Sequence, residues 1–211
     1  MQEDLDRVFH YFPGLTLAQK KQIALLAEVY QDWNEKINVV SRKDINQIYI
    51  HHVLHSLSVA KTISFNNDAR LLDIGTGGGF PGIPLAILFP DTQFHLVDSI
   101  RKKIDVVKEV AAYVALDNVL AEQKRAEKVK GTYDFVLSRA VAPISKLYNW
   151  TRDNIAPKSR HSLANGLICL KGGDLAAELG NVPLNYHLYA IHNYFSEDFF
   201  KSKYVIHATR N

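Results

Sequence analysis

The sequence predicts an α/β fold: a seven-stranded, mostly parallel sheet covered by helices, with a helical N-terminal extension. Three observations carry this. From Ala69 onward, short apolar runs alternate with amphipathic stretches, the rhythm of strands joined by helical crossovers. Residues 1–64 instead repeat apolar positions at helical spacing. The last two apolar runs, "NYHLYAIHNYF" and "KYVIHATR", follow one another without a helix between them, so the sheet must finish with an antiparallel strand.

The elements follow in order. "TLAQKKQIALLAEVYQDWNEKI" sets Leu17, Ile23, Leu26, Ala27, Tyr30, Trp33 and Ile37 near helical spacing, with Thr16 as N-cap. "INQIYIHHVLHSLSVAKTI" repeats the pattern through Ile45, Ile48, Val53, Leu54, Leu57 and Val59. The polar turn "SFNND" then marks a boundary, dividing an N-terminal extension, 1–64, from a cofactor-binding domain, 65–211, packed together as one unit. "ARLLDIG" reads as a strand and "GIPLAILF" as a short helix stopped by Pro90. "TQFHLVD" is a strand, "SIRKKIDVVKEVAAYVAL" a helix, "NVLAEQ" and "YDFVLSRA" strands. A helix runs from about Pro143 to Ile155, then come the strand "NGLICLKG" and the helix "GDLAAELG".

Composition narrows the class. The 211 residues are 47% hydrophobic and 22% charged, enough for a core and too apolar for disorder. A net charge of +3 permits a nucleic-acid partner without demanding one. The one cysteine, Cys169, sits in an apolar run, which excludes a disulfide framework and reads as core. The acidic start "MQEDLDRVFHYF" lacks a signal core, and no apolar run reaches membrane length. The expectation is a cytoplasmic monomer with no membrane partner and no metal.

"DIGTGGGFPGIP", residues 73–84, holds five glycines in eight positions at the end of the first strand. Glycine lets the turn take positive φ and lets a ligand lie against the main chain. Pro81 or Pro84 suits the first turn of the following helix. A nicotinamide dinucleotide needs Gly-x-Gly-x-x-Gly; counted from Gly75 the sixth position is Phe80, and counted from Gly77 the pattern starts too late. Asp73, Gly75, Gly77 and Gly79 instead form Asp-x-Gly-x-Gly-x-Gly, the loop associated with S-adenosylmethionine. An acid at Asp73 makes sense beside a sulfonium and an ammonium, and little sense beside a pyrophosphate. Asp98 ends the second strand, where a carboxylate accepts from ribose hydroxyls; N-capping the next helix is its competing role.

These strings, with "LVDSIRKK", "RAE" at 125–127, "SRA" at 138–140 and "LKGG" at 170–173, resemble the ribosomal RNA small subunit methyltransferase G family, also called the glucose-inhibited division protein B family. "WNEKINVVSRKD" and "HHVLHSL" extend the likeness over nearly the whole chain. The resemblance implies a class I S-adenosylmethionine-dependent, Rossmann-like methyltransferase. It implies N7-methylation of a guanosine in the 530 loop of bacterial 16S rRNA, on the RNA, the small subunit or an assembly intermediate. Carried over by position, Gly75 and Phe80 are cofactor contacts, Ala126 and Glu127 adenine-side contacts, and Arg139 a contact at the end of the fourth strand. The chain departs from the family in reading His51-His52-Val53-Leu54-His55-Ser56 where Arg-His-x-Leu-Asp-Ser is common.

Guanine N7 carries a lone pair and no proton, so its attack on a methyl group needs no general base. No cysteine pair for carbon methylation and no Asn-Pro-Pro-Tyr string for amines is present; Ser138-Arg139-Ala140 follows the fourth strand instead. Arg139 is the candidate catalytic residue. Holding N7 would block the nucleophile, so it should contact O6, a phosphate or the cofactor carboxylate. Arg125 and Lys171, with Arg101 and Lys102, are candidate phosphate contacts, and Lys103 and Lys124 lie nearby. His51, His52 and His55 lack a completing third ligand and read as surface or RNA-facing histidines. Tyr30 and Trp33 read as packing. The runner-up readings are a nicotinamide-dependent oxidoreductase and an inactive RNA-binding module.

Overall fold

A computed structural model describes residues 1–37, 39–41, 44–180 and 184–210. Helices α1 (Gln2–Tyr11) and α2 (Leu17–Lys36) open the chain. Thr16 caps α2 as expected, in a reciprocal box: its Oγ1 accepts from the Gln19 N–H at 3.2 Å, and Gln19 Oε1 accepts from the Thr16 N–H at 2.9 Å. The second predicted helix is irregular. A 3-10 turn (Ile45–Gln47), a π-helix (Ile48–Leu54), one α-turn, α3 (His55–Leu57), and a further 3-10 turn (Ser58–Lys61) follow in succession. Of the "WNEKINVVSRKD" string, Asn38, Arg42 and Lys43 lie outside the described residues.

The rest alternates as predicted: β1 (Arg70–Ile74), α4 (Gly82–Leu88), β2 (Gln93–Asp98), α5 (Arg101–Tyr113), β3 (Val119–Gln123), β4 (Phe135–Arg139), α6 (Ile144–Thr151), β5 (Gly166–Gly172), α7 (Ala176–Leu179), β6 (Asn185–Ala190) and β7 (Lys203–Thr209). Two elements are shorter than expected. The α7 helix is a single turn, and β6 stops at Ala190, where a 3-10 turn, Ile191–Asn193, buries Ile191. Apolar content marked both stretches, but the point where the chain turns inward depends on neighbours.

The sheet order is β3-β2-β1-β4-β5-β7-β6. The pairs from β3 to β5 are parallel, and β7 runs antiparallel to β5 and β6. Side chains alternate between two apolar layers. Leu71, Leu96, Phe135, Leu137 and Ile168 face one core, shared with α2, α4 and α5. Leu72, Ile74, Val136, Leu167 and Cys169 face the other, with Ile144 and Leu147 of α6 and Leu179 of α7. Burial pushes the Cys169 thiol up to about 12, so it is a core residue and no nucleophile. Strand order reverses between β1 and β4, and a crevice opens there beyond the carboxyl ends of the strands.

Candidate active site

The glycine loop leaves β1 with Gly75, Gly77 and Gly79 all at positive φ. At Gly77, φ is +60° and nothing stands within 4 Å of a notional Cβ, so this backbone faces open space. Its N–H donates to Asp98 Oδ2 at 3.0 Å, tying the loop to the end of β2. Gly82 is needed for a different reason. A Cβ there would come within 2.9 Å of Asp73 Oδ2 and 2.7 Å of Leu96.

Asp73 differs from the sequence expectation. It is fully buried beneath the loop and absent from the cavity wall. Its Oδ2 accepts from Thr76 Oγ1 at 2.7 Å and from the Gly82 N–H at 3.0 Å. Asp73 points to the face of the sheet that α4 covers and comes under the turn, so this acid braces the loop from below. Burial pushes its carboxyl up to about 7, against the pull of these two donors and Arg139.

A cavity of about 510 Å³ lies above the loop. Gly75, Gly77, Phe80, Asp98, Ala126, Glu127, Arg125 and Arg139 line it, as the sequence suggested; Gly79 does not. Asp98 Oδ1 accepts from the Ile100 N–H at 2.9 Å, so it also caps the turn into α5. The two roles that competed in the sequence coexist in one carboxylate. The wall also holds Lys103 and Lys124, the basic residues the sequence placed nearby, and Ile100, Val141 and Trp150, which sequence reasoning missed. Ile100 carried a signal: an apolar residue two positions after the ribose-type acid, left 49% exposed. Trp150 carried none, because only the packing of α6 brings it there.

The residues present fit S-adenosylmethionine. The exposed apolar side chains of Ile100 and Val141 suit an adenine, Asp98 suits a ribose diol, and Arg139 suits a carboxylate. The open backbone at Gly77 leaves room for the chain between them.

Arg139 is half-buried at the end of β4. It donates to His52 Nδ1 at 2.8 Å and to the His51 carbonyl at 3.4 Å, and its guanidinium stands 5.0 Å from the Phe80 ring. Burial pulls it down to about 10, so it stays charged at neutral pH. The same burial, with Arg139 alongside, holds His52 near 3, neutral and accepting. His55 is a correction: it is buried against Phe199 and Phe200, and burial keeps it well below the usual histidine range. His55 follows directly on the π-helix, whose wider turn departs from the regular helical spacing read in the sequence. His51 pairs with Asp44 at 2.9 Å and stacks on Phe199. Tyr30 is fully buried, and its hydroxyl donates to the Gly78 carbonyl at 2.5 Å.

The basic residues divide. Lys171 lines a second cavity and is committed to internal partners, donating to the Ala142 carbonyl at 2.6 Å and pairing with Glu178 at 3.0 Å. Arg125 is 74% exposed at the rim of the first cavity. Arg101 pairs with Asp105 along α5 and Lys102 is exposed; neither reaches the cavity. Among the described residues no three potential metal ligands cluster, and no helix is long and apolar enough to cross a membrane.

Fold and crevice together define a class of protein, the class I methyltransferases. Solved structures share the fold: a SAM-dependent methyltransferase from Aquifex aeolicus has a TM-score of 0.55 at 13% identity, covering 72% of this chain and 88% of its own. A precorrin-6y C5,15-methyltransferase from Geobacter metallireducens has a TM-score of 0.55 at 9% identity, covering 82% and 92%. Sequence relatives are far closer. Residues 19–195 match the family described as rRNA small subunit methyltransferase G. Proteins of that name from Phocaeicola vulgatus and Bacteroides fragilis are 53% and 55% identical, covering 97% and 94% of this chain and 98% and 97% of their own. This chain belongs to the rRNA small subunit methyltransferase G family. That membership sets aside the nicotinamide oxidoreductase.

Proposed function

We propose that this chain transfers a methyl group from S-adenosylmethionine to N7 of a guanosine in small-subunit rRNA, in the 530 loop of 16S rRNA that the family resemblance implies. Bound S-adenosylmethionine supplies an electrophilic methyl group on a sulfonium. The chain's own residues position and enclose. Asp98 holds the ribose edge, Gly75 and Gly77 admit the ligand backbone, and Ala126 and Glu127 border the adenine side. Arg139 orients the substrate or the cofactor carboxylate while leaving N7 free. Arg125 at the rim takes an RNA phosphate. The chain works in the cytoplasm as a monomer.

One observation carries the choice of N7: His52, which touches Arg139, and His55 behind it are unsuited to removing a proton. His52 is held near 3 and engaged by Arg139, and burial holds His55 well below the usual histidine range. Asp73, at about 7, has a fitting basicity but lies under the loop, away from the cavity. A proton-free nucleophile such as guanine N7 suits this site, with alignment and exclusion of water supplying the rate.

The test is chemical mapping. Small-subunit RNA incubated with the protein and S-adenosylmethionine is reduced with borohydride and treated with aniline, which cleaves at 7-methylguanosine. One new break at a guanosine is expected, absent with Arg139→Ala. Methyl incorporation without a break would move the reaction to another atom, and full activity of Arg139→Ala would remove that residue from the site.

A further inference from the structure

A second cavity, about 600 Å³, lies beside the first and shares with it His52, Arg139, Ala140 and Val141. Resting on the guanine-N7 reading, we propose that this cavity is the pocket for the flipped target base, and that Glu178 reads the N1–H and N2–H2 edge of guanine.

The placement follows from the sheet. Arg139 on β4 is in register with Leu170 on β5. Lys171, one residue on, directs its side chain to the opposite face. Arg139 and the Lys171–Glu178 pair therefore flank the carboxyl edge of the sheet from opposite sides. Arg139 lines both cavities, whereas Lys171 and Glu178 line only the second. A base entering with N7 toward the shared wall turns its Watson–Crick edge away from the cofactor, toward Glu178. Leu170 and Phe199 supply apolar wall for its faces.

The acid is prepared for this. Glu178 Oε1 accepts from the Ile144 N–H at 2.7 Å and pairs with Lys171 at 3.0 Å, which leaves that oxygen saturated. Among the described residues Oε2 accepts no hydrogen bond. A fixed carboxylate with one spare oxygen suits two adjacent donors. Guanine presents N1–H and N2–H2 there, while adenine presents the N1 lone pair and C2–H, its amino group lying at position 6. The same contacts also hold the loop between β4 and α6, through Ala142 and Ile144. A loop clamp affects every base equally; an edge reader does not.

The full chain, with S-adenosylmethionine, is given small-subunit RNA carrying guanosine, inosine or adenosine at the position mapped by aniline cleavage. Wild type should prefer guanosine over adenosine by at least about a hundredfold, with inosine between. Glu178→Gln, whose amide can face adenine N1, should cut the guanosine-to-adenosine ratio about tenfold to a hundredfold, with S-adenosylhomocysteine affinity unchanged. Lys171→Met, which loosens the clamp and keeps the acid, should slow all three substrates and preserve the ratio. An equal loss on all three bases with Glu178→Gln, or a ratio that collapses equally with Lys171→Met, overturns the proposal and leaves a loop clamp. If wild-type product shows no aniline-sensitive site, the N7 reading falls first and this proposal with it.

Discussion

Asp73 and Asp98 lie near the carboxyl ends of neighbouring parallel strands, yet one is buried under the loop and the other lines the cavity. Asp98 lines the first cavity while bracing Gly77 and Ile100. Asp98→Ala should weaken S-adenosylmethionine binding by about tenfold to a hundredfold, the worth of charge-assisted hydrogen bonds. Calorimetric titration measures it, and an unchanged Kd would remove Asp98 from the ribose role. Asp73 is protonated in the folded chain up to about pH 7, whereas an unfolded carboxyl ionises near 3.8. The folded state therefore holds the extra proton between about pH 4 and 7. Its contribution to stability is full below that window and is lost as pH rises through it, by at most roughly 1.4 kcal/mol per pH unit. Asp73→Asn lacks this slope. The stability of wild type minus that of the variant, from urea unfolding at several pH values, should fall from pH 4 to 7 and then level off. A constant difference would mean that Asp73 is ionised throughout.

At the scale of elements, α2 is secured at its start by Thr16 and Gln19. Gln19 Nε2 reaches further, donating to the Ile87 and Leu88 carbonyls at 2.9 and 3.1 Å, at the end of α4. Thr16→Ala loses one cap and should cost about 1 kcal/mol. Gln19→Ala loses the cap and the tie to α4 and should cost more, on the order of 2 kcal/mol. Thermal or urea unfolding ranks the two, and equal losses would deny the second role. The π-helix presents another test. It sets His52 against Arg139, where the imidazole stays neutral down to about pH 3. An unfolded histidine titrates near 6.5, so this burial adds stability above that pH and loses it as pH falls toward 3. The His52 NMR resonances should show no titration between pH 5 and 8; a midpoint near 6.5 would break the Arg139–His52 assignment.

Across the whole molecule, the N-terminal helices share one apolar core with the sheet. Ile23, Leu26 and Tyr30 of α2 belong to the same cluster as Ile83, Leu96 and Phe135. Tyr30 also holds the glycine loop by its hydrogen bond to Gly78. A chain starting at residue 65 would expose that face. It should unfold at a lower temperature than the full chain and lose most S-adenosylmethionine affinity, measured by calorimetry. Undiminished binding would make 1–64 an independent appendage.

The strands were readable because fully buried parallel strands must be nearly continuous apolar runs. "RLLDI", "FVLSR" and "GLICLKG" announce themselves without any partner. The glycine loop was equally readable, since its backbone conformations exclude most side chains. The crossover rhythm and the final pair of strands then implied both the parallel sheet and its antiparallel finish. What no local pattern encodes is direction. Whether Asp73 meets the ligand or the loop, whether Lys171 meets RNA or Glu178, and whether His55 faces solvent or Phe199 depend on groups 7 to more than 100 residues away along the chain. The sequence by itself determined the class of fold, the glycine loop and the acid at the end of the next strand, because those are local demands on backbone and burial. Only the tertiary structure decided which charged side chains are spent inside the protein and which are left for a ligand, because that depends on packing between distant segments.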